Sequence, residues 1–448
     1  MHANAHQGRW ATSTSDGTTA EERGKALTEE VSAQHRYPTV YLHIGTPKSG
    51  TTYLQRVLGR NREALAERGV LWPGRTWVDQ VHAVRDLANI HPFDHRSSDV
   101  AGAWRRLVDE IHEWDGHSAV VSMEWLVDAK PRHIRRAIDT LAPAKVHVIV
   151  TARDLARNIP ADWQEDVQNW STCGWQEYID AVQNPESATI ESGRRLWGQQ
   201  DLGAILRRWG KVVPAERTHV VTVPPRGADP EVLWRRFASV IDINPDDYSA
   251  PPKSRNASLG VVSAELMRRI NTLGQERGMS WRDSGKLIKR VLAKRVLAKR
   301  SEIEPAVAMP ADLYPWAIEQ GKRIATEVEQ TGAHVWGDLA ELIPDPAHAR
   351  EGATPDTVSD RELLEAAIDG LVGLVKEVKR MRATGSTLDG DLSAQASRPP
   401  FRLSTATVLA KRSLVRLGKR VGWIGALHRI WRTARHRVRY AQRRLARH

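Results

Sequence analysis

The chain has one cysteine, Cys173, among 448 residues. A single thiol cannot close an internal disulfide or build a cysteine-rich zinc site, so nothing in the sequence asks for an oxidising compartment. Cys173 is expected to be a small, half-buried residue. Long apolar runs are also missing. No stretch of about 18 apolar residues occurs, and no transmembrane helix is expected. The opening stretch MHANAHQGRWATSTSDG lacks the apolar segment of a secretory signal, so residues 1–36 read as a polar, disordered arm and the cytoplasm is the expected location. Phenylalanine and tyrosine are scarce, at 3 and 7 against 17 tryptophans, a bias of composition that points to no function. Acidic residues are absent from one end. Residues 401–448 hold 14 Lys and Arg and no Asp or Glu; taking these from the net charge of +12 leaves −2 on residues 1–400. The body is therefore nearly neutral, and any claim about anionic partners belongs to the tail.

What is present is a series of short β-rich apolar runs separated by helical segments: TVYLHI (39–44), SAVVS (118–122), KVHVIVT (145–151) and THVVTV (218–223). This alternation predicts an α/β fold with a parallel sheet covered by helices on both faces. Asp229 and Pro230 form a capping signal for a helix over EVLWRRFASVI, and VVSAELMRRINTL places Leu266, Ile270 and Leu273 on one helical face. RVLAKRVLAKR (290–300) is a five-residue duplication, too short for a repeat architecture and expected to be an exposed basic helix face. The compact domain is expected to span 37–345. A linker, 346–400, follows and contains a helix over 360–382. There Leu364, Ile368, Leu371, Val375 and Val378 make a narrow apolar seam that can dock on the domain or pair with another helix, which allows a homodimer. In the basic tail, 401–448, Leu414, Leu417, Val421, Ile424, Leu427 and Trp431 recur at helical spacing among Lys and Arg. That pattern suits peripheral contact with an anionic membrane surface such as the inner membrane, with an anionic polysaccharide, nucleic acid, or a solvated basic helix packed on the domain as the alternatives.

The chemistry concentrates in YLHIGTPKSGTTYLQ (41–55). A strand ends at Ile44, a loop follows, and a helix begins near Thr51. Gly45 and Gly50 permit tight turns and let backbone N–H groups approach an anion, while the helix start adds free N–H groups and its positive dipole end. Pro47 shapes the loop, Lys48 supplies a full charge, and Ser49, Thr51 and Thr52 offer hydroxyl donors. Together these make a phosphate cradle. The order differs from Walker A, which needs Gly-Lys-Ser/Thr with the hydroxyl on magnesium; here Lys48 precedes Gly50 and no metal-binding acid stands beside it.

GTPKSGTT resembles the 5′-phosphosulfate loop of the sulfotransferases that use 3′-phosphoadenosine 5′-phosphosulfate (PAPS), and the layout over roughly 37–345 is similar to the soluble bacterial branch. The resemblance implies a P-loop-NTPase-like parallel sheet flanked by helices, here with a C-terminal helical extension. It implies PAPS as co-substrate with no metal, and sulfuryl transfer to a hydroxyl or amine. The acceptor would be a small molecule, a carbohydrate or a lipid-linked compound. VHVIVTARDLARNIPADWQE (146–165) resembles the family's second motif, in which an Arg and a following Ser grip the 3′-phosphate. Arg153 matches the Arg. The Ser position is occupied by Ala161, a departure, and Gln164 one turn later is the available substitute. SRNASLG (254–260) falls where the family's C-terminal cofactor loop would lie, which nominates Arg255, Asn256 and Ser258, with an N-cap and turn as the alternative.

In this scheme Lys48 stabilises charge on the leaving oxygens. Two residues are candidates for the base that activates the acceptor. Glu124 follows strand 118–122, where Ser122 and Glu124 approximate the family's Ser-Glu pattern. His82, in WVDQVHAV, lies in a region that can line an acceptor pocket. His43, on the strand before the loop, is expected to be structural. Each base candidate has an ordinary alternative: a Glu after a strand commonly caps or faces solvent, and a lone His commonly sits satisfied in a core. A P-loop kinase using ATP and a non-catalytic nucleotide-binding relative are the rival readings. Magnesium dependence would mark the first, and binding without transfer the second.

Overall fold

A computed structural model describes residues 37–89, 99–186, 188, 190–229, 231–249, 258–281, 286–349 and 354–384. The arm 1–36, Pro230, Arg255, Asn256, part of the linker (350–353 and 385–400) and the basic tail 401–448 lie outside the described residues.

Six strands form one all-parallel sheet: β1 (Thr39–His43), β2 (Val70–Leu71), β3 (Ser118–Ser122), β4 (Val146–Ala152), β5 (Thr218–Thr222) and β6 (His334–Trp336), in the order β2-β3-β1-β4-β5-β6. This is the expected α/β architecture. The four inner strands are the four apolar runs of the sequence. The two edge strands, of two and three residues, carry too little pattern to be read in advance.

Side chains alternate between the faces. Val40, Leu42, Val148 and Val150 point into the larger core, and Val120, Ile149 and Val221 into a second core. Helices α1 (Thr51–Arg60) and α4 (Glu231–Val240) cover the second face with Leu54, Val57, Leu58, Trp234 and Phe237. The larger core takes in α2 (Trp77–Ala88), α3 (Leu155–Gln168), α5 (Val261–Glu276) and α6 (Tyr314–Gln330). Burial on both faces is why these strands are continuous apolar runs and not alternating ones. The chain reverses direction of winding at β1, which has β3 on one side and β4 on the other. The crevice beyond the C-terminal end of such a strand is where open α/β sheets bind ligands. The loop 45–50 occupies that crevice.

One expectation is corrected. The duplication 290–300 is not an exposed helix face. Lys286–Val296 is a π-helix followed by a 3₁₀ turn, Leu297–Glu302, and Val291, Ala293 and Leu297 are fully buried. A five-residue repeat suits this geometry. Bonding from i to i+5 returns residues five apart to roughly the same side, so both Val-Leu pairs turn inward. For α7 (Asp360–Thr384) the structure narrows two alternatives to one. It rests on the body through Leu363 and Ala366, with Gly370 and Gly373 against Leu292 and Val296. The seam of Leu364, Ile368, Leu371, Val375 and Val378 faces outward, each residue between 38 and 65% exposed. The seam is therefore not the docking face. Among the described residues no helix is long and apolar enough to cross a membrane.

Candidate anion-binding site

The loop after β1 is fixed by its neighbour strand. Thr46 N–H donates to Thr151 O at 2.9 Å and Thr151 N–H to Gly45 O at 2.6 Å, which extends the β1–β4 pairing past the strand end. Two loop carbonyls are then pinned from outside: Gln200 Nε2 donates to Pro47 O at 3.0 Å, and Arg153 Nη1 donates to Lys48 O at 3.1 Å. Gln200 is itself held by Asn158 Nδ2 at 2.7 Å. Lys48 and Gly50 adopt left-handed conformations, with φ of 65° and 86°. A Cβ at Gly50 would stand 2.4 Å from Leu233 Cδ2, so a side chain there would also have to displace the end of that leucine. Tyr53 and Leu54 N–H both donate to Gly50 O, which leaves the Thr51 and Thr52 amides as the open positive end of α1.

The hydroxyls divide. Thr52 is exposed at the helix start and Thr51 is buried there. Ser49 is fully buried; its hydroxyl donates to Thr46 O and lies beside Thr151 Oγ1, so it shapes the loop from within. His43 is fully buried as well, with Nδ1 2.7 Å from Ser122 Oγ and Nε2 3.1 Å from Thr151 Oγ1. Burial pushes its pKa down to about 3, which keeps the ring neutral and makes it a tie between β1, β3 and β4.

Arg153 stands just past β4, beside the loop. Burial first, then Arg157 and Arg226, push its pKa down to about 10. Arg157 is neutralised by Asp154, but among the described residues no carboxylate pairs with Arg153. A half-buried guanidinium without a counter-ion next to a ring of N–H groups is a site that favours an anion. Arg157 and Arg226 also line an adjoining cavity of about 240 Å³, together with Asp154, Tyr314, Glu341 and His348.

Glu124 opens the 3₁₀ turn Glu124–Asp128 directly after β3. Its Oε2 accepts from Gln55 Nε2 of α1 at 2.9 Å. A Cβ on Gly45 would lie 3.2 Å from Glu124 O, so the loop and the Glu124 backbone are in contact. Trp77 Nε1 donates to Ser122 O at 3.2 Å and places a partly exposed indole over the same strand end. The structure thus gathers Pro47, Lys48, Ser49, Gly50, Thr51, Thr52, Arg153 and Glu124 around one crevice.

It does not bring His82 there. Gln80, two residues earlier on α2, points at β3 and accepts from Ser122 N–H. His82 therefore projects from the opposite side of the helix, where its charged neighbours are Arg85, Asp99, Asp79 and Arg106. Gln164 is buried, and its amide donates to Leu259 O at 3.1 Å, tying α3 to the start of α5. Ser258 is exposed. Cys173 is half-buried as expected, with burial first and Glu177 second pushing its thiol up to about 12.

Sequence reasoning missed Glu165. Its Oε2 accepts from Lys48 Nζ at 2.9 Å and its Oε1 from Lys289 Nζ at 2.8 Å. Against the cost of burial, Lys48 and then Lys289 hold its carboxyl well below the usual carboxylate range. Ala161 and Glu165 are one turn apart on α3 and share a face. That spacing was legible; the partner lysine, over a hundred residues away in sequence, was not.

No family model matches this chain, and no curated protein sequence does. Among solved structures it is similar to a sulfotransferase from Alicyclobacillus acidocaldarius, at 15% identity and a TM-score of 0.33 over 48% of this chain and 85% of that one.

Proposed function

We propose that the chain is a sulfotransferase that moves the sulfuryl group of PAPS to a hydroxyl or amine of a carbohydrate, a glycolipid or a small metabolite. The observation that carries this reading is the pairing of two cationic anchors around one loop. Lys48 belongs to a cradle without the Gly-Lys-Ser/Thr order, and Arg153, without a carboxylate partner, donates to the Lys48 carbonyl. A donor with phosphate at both ends of its ribose needs a cationic anchor at each end.

In this reading the amides of Thr51 and Thr52 hold the 5′-phosphate, Arg153 holds the 3′-phosphate, and Lys48 serves the bridging oxygen. Glu124 accepts the acceptor's proton as the acceptor oxygen or nitrogen bonds to sulfur. The sulfur–oxygen bond to the 5′-phosphate breaks, and its electron pair leaves with 3′-phosphoadenosine 5′-phosphate. Preorganised N–H donors stabilise the charge that builds on the leaving oxygens. Gln55, bonded to Glu124 Oε2, orients the base and leaves Oε1 for the proton.

The test is transfer of ³⁵S from labelled PAPS to a panel of hydroxyl and amine acceptors. Transfer is expected without added metal and lost by a factor of about 10² or more in Lys48→Ala. Binding of the donor with no transfer to any acceptor would overturn the enzymatic reading.

A further inference from the structure

Glu165 occupies the point where cations from two distant segments converge. Lys48 reaches its Oε2 from the loop, and Lys289 reaches its Oε1 from the π-helical segment. Lys289 is held additionally by Asn169 Oδ1 at 2.5 Å, and Asn169 Nδ2 donates to Glu165 Oε1 at 3.2 Å. Lys294 lies within electrostatic range of Lys48, Glu165 and Lys289. Arg290 lies in range of Lys294, and Asp166, itself paired with Arg195, in range of Glu165, so the cations still outnumber the carboxylates beside a loop already rich in N–H donors. Two carboxylate oxygens, each taking one lysine, present the same acceptors that two oxygens of a phosphate or sulfate group would.

We propose that Glu165 is a stand-in for the donor's anion: it holds Lys48 and Lys289 in place until the entering phosphosulfate displaces it and takes both ammonium groups. Lys289 is then a second cation on the transferring group, and Glu165 is a positioning residue that acts through the two lysines. The inference rests on reading the loop as the donor site. It accounts for two features that the donor reading leaves aside. One is why the loop lysine already has an acceptor. The other is why a π-helical segment, a rare conformation frequent at functional sites, sends Lys289 to the acid that holds the loop lysine. No bond is made or broken at Glu165. One set of charge-assisted hydrogen bonds replaces another.

The test is calorimetric titration of the full chain at fixed ionic strength with two probes, inorganic pyrophosphate and 3′-phosphoadenosine 5′-phosphate. Glu165→Gln removes the competing charge and keeps the shape, so it is expected to bind both probes about tenfold more tightly. Lys289→Gln is expected to weaken both by about three- to tenfold, and Lys289→Arg to restore most of the loss. Removing a nearby negative charge raises anion affinity by itself, so the gain in Glu165→Gln supports the proposal only together with the loss in Lys289→Gln and its recovery in Lys289→Arg. Unchanged or weaker binding in a folded Glu165→Gln overturns the proposal. Should that variant fail to fold, Lys289→Gln decides: wild-type affinity for both probes overturns it. If the variants shift pyrophosphate as stated and the nucleotide binds to none, the stand-in arrangement holds and the PAPS reading falls. If the nucleotide binds wild type and both variants alike, the PAPS reading holds and the stand-in falls.

Discussion

At the scale of single residues, the site was legible where one residue type has one physical use. Gly45 and Gly50 had to be turn residues, and both take positive φ. Lys48, read from the residues of the loop, and Arg153, nominated by its motif's resemblance, meet at the loop. The two base candidates part because a helix has sides. Glu124 leaves a strand at the crevice, while His82 sits on the side of α2 turned away from it. Side-chain partners from distant segments, such as Gln200 for Pro47 and Lys289 for Glu165, leave no trace in local pattern. The residue-scale prediction follows from Glu124. Glu124→Gln should lower kcat for sulfuryl transfer by about 10²–10⁴, the usual worth of a general base, whereas His82→Gln should leave kcat within about twofold. Rates of the two variants under saturating donor check this, and an inert His82→Gln with an active Glu124→Gln would reverse the assignment.

At the scale of elements, period and burial decide how much can be read. The four inner strands are buried on both faces, so their apolar runs announced them. The helix at α7 was also announced, by a seam at steps of four and three. Its orientation was not, because α7 has two apolar faces. One holds Leu363, Ala366 and the glycines that allow close approach to Val296; the other holds the seam. Small residues let the body approach, so the smaller face became the buried one. Leu371→Glu should accordingly change the urea midpoint by no more than about 0.5 kcal/mol in equivalent stability. Ala366→Leu, at a fully buried position, should cost about 1–3 kcal/mol by overpacking. The reverse ranking would mean that the seam, not Ala366, is the docked face.

At the scale of the whole molecule, the sheet carries a row of rings across its strands. His147 on β4 lies 2.9 Å from His219 on β5, and His219 stacks on His334 of β6. Burial first, then His219 and Lys145, push His147 down to about 4, and burial followed by His334 does the same to His219. With His43 at about 3, three histidines stay neutral in the fold. The unfolded chain takes up protons near pH 6.5 that the fold refuses until about pH 4 or below. The stability these groups supply is therefore present above pH 6.5 and lost as pH falls toward 4. Asp166, raised to about 6 by burial ahead of its other influences, works in the opposite sense, as do Asp128 and Asp356, both raised by burial first; the histidines, with His82 and His133 also lowered by burial first, outnumber them. Melting temperature should fall between pH 7 and pH 4, and less steeply in His147→Leu. An equal slope in that variant would remove the histidine row from the account.

The measurement that bears most directly on the donor reading is the melting temperature of wild type and Arg153→Ala with 3′-phosphoadenosine 5′-phosphate, 5′-AMP and ATP–magnesium. A ligand that binds only the folded chain must stabilise it, by about 4 kcal/mol at 1,000 times its Kd. The account predicts a rise with the 3′-phosphorylated nucleotide, little with 5′-AMP, and loss of the difference in Arg153→Ala. A rise with ATP–magnesium alone would contradict it and make the loop a kinase site.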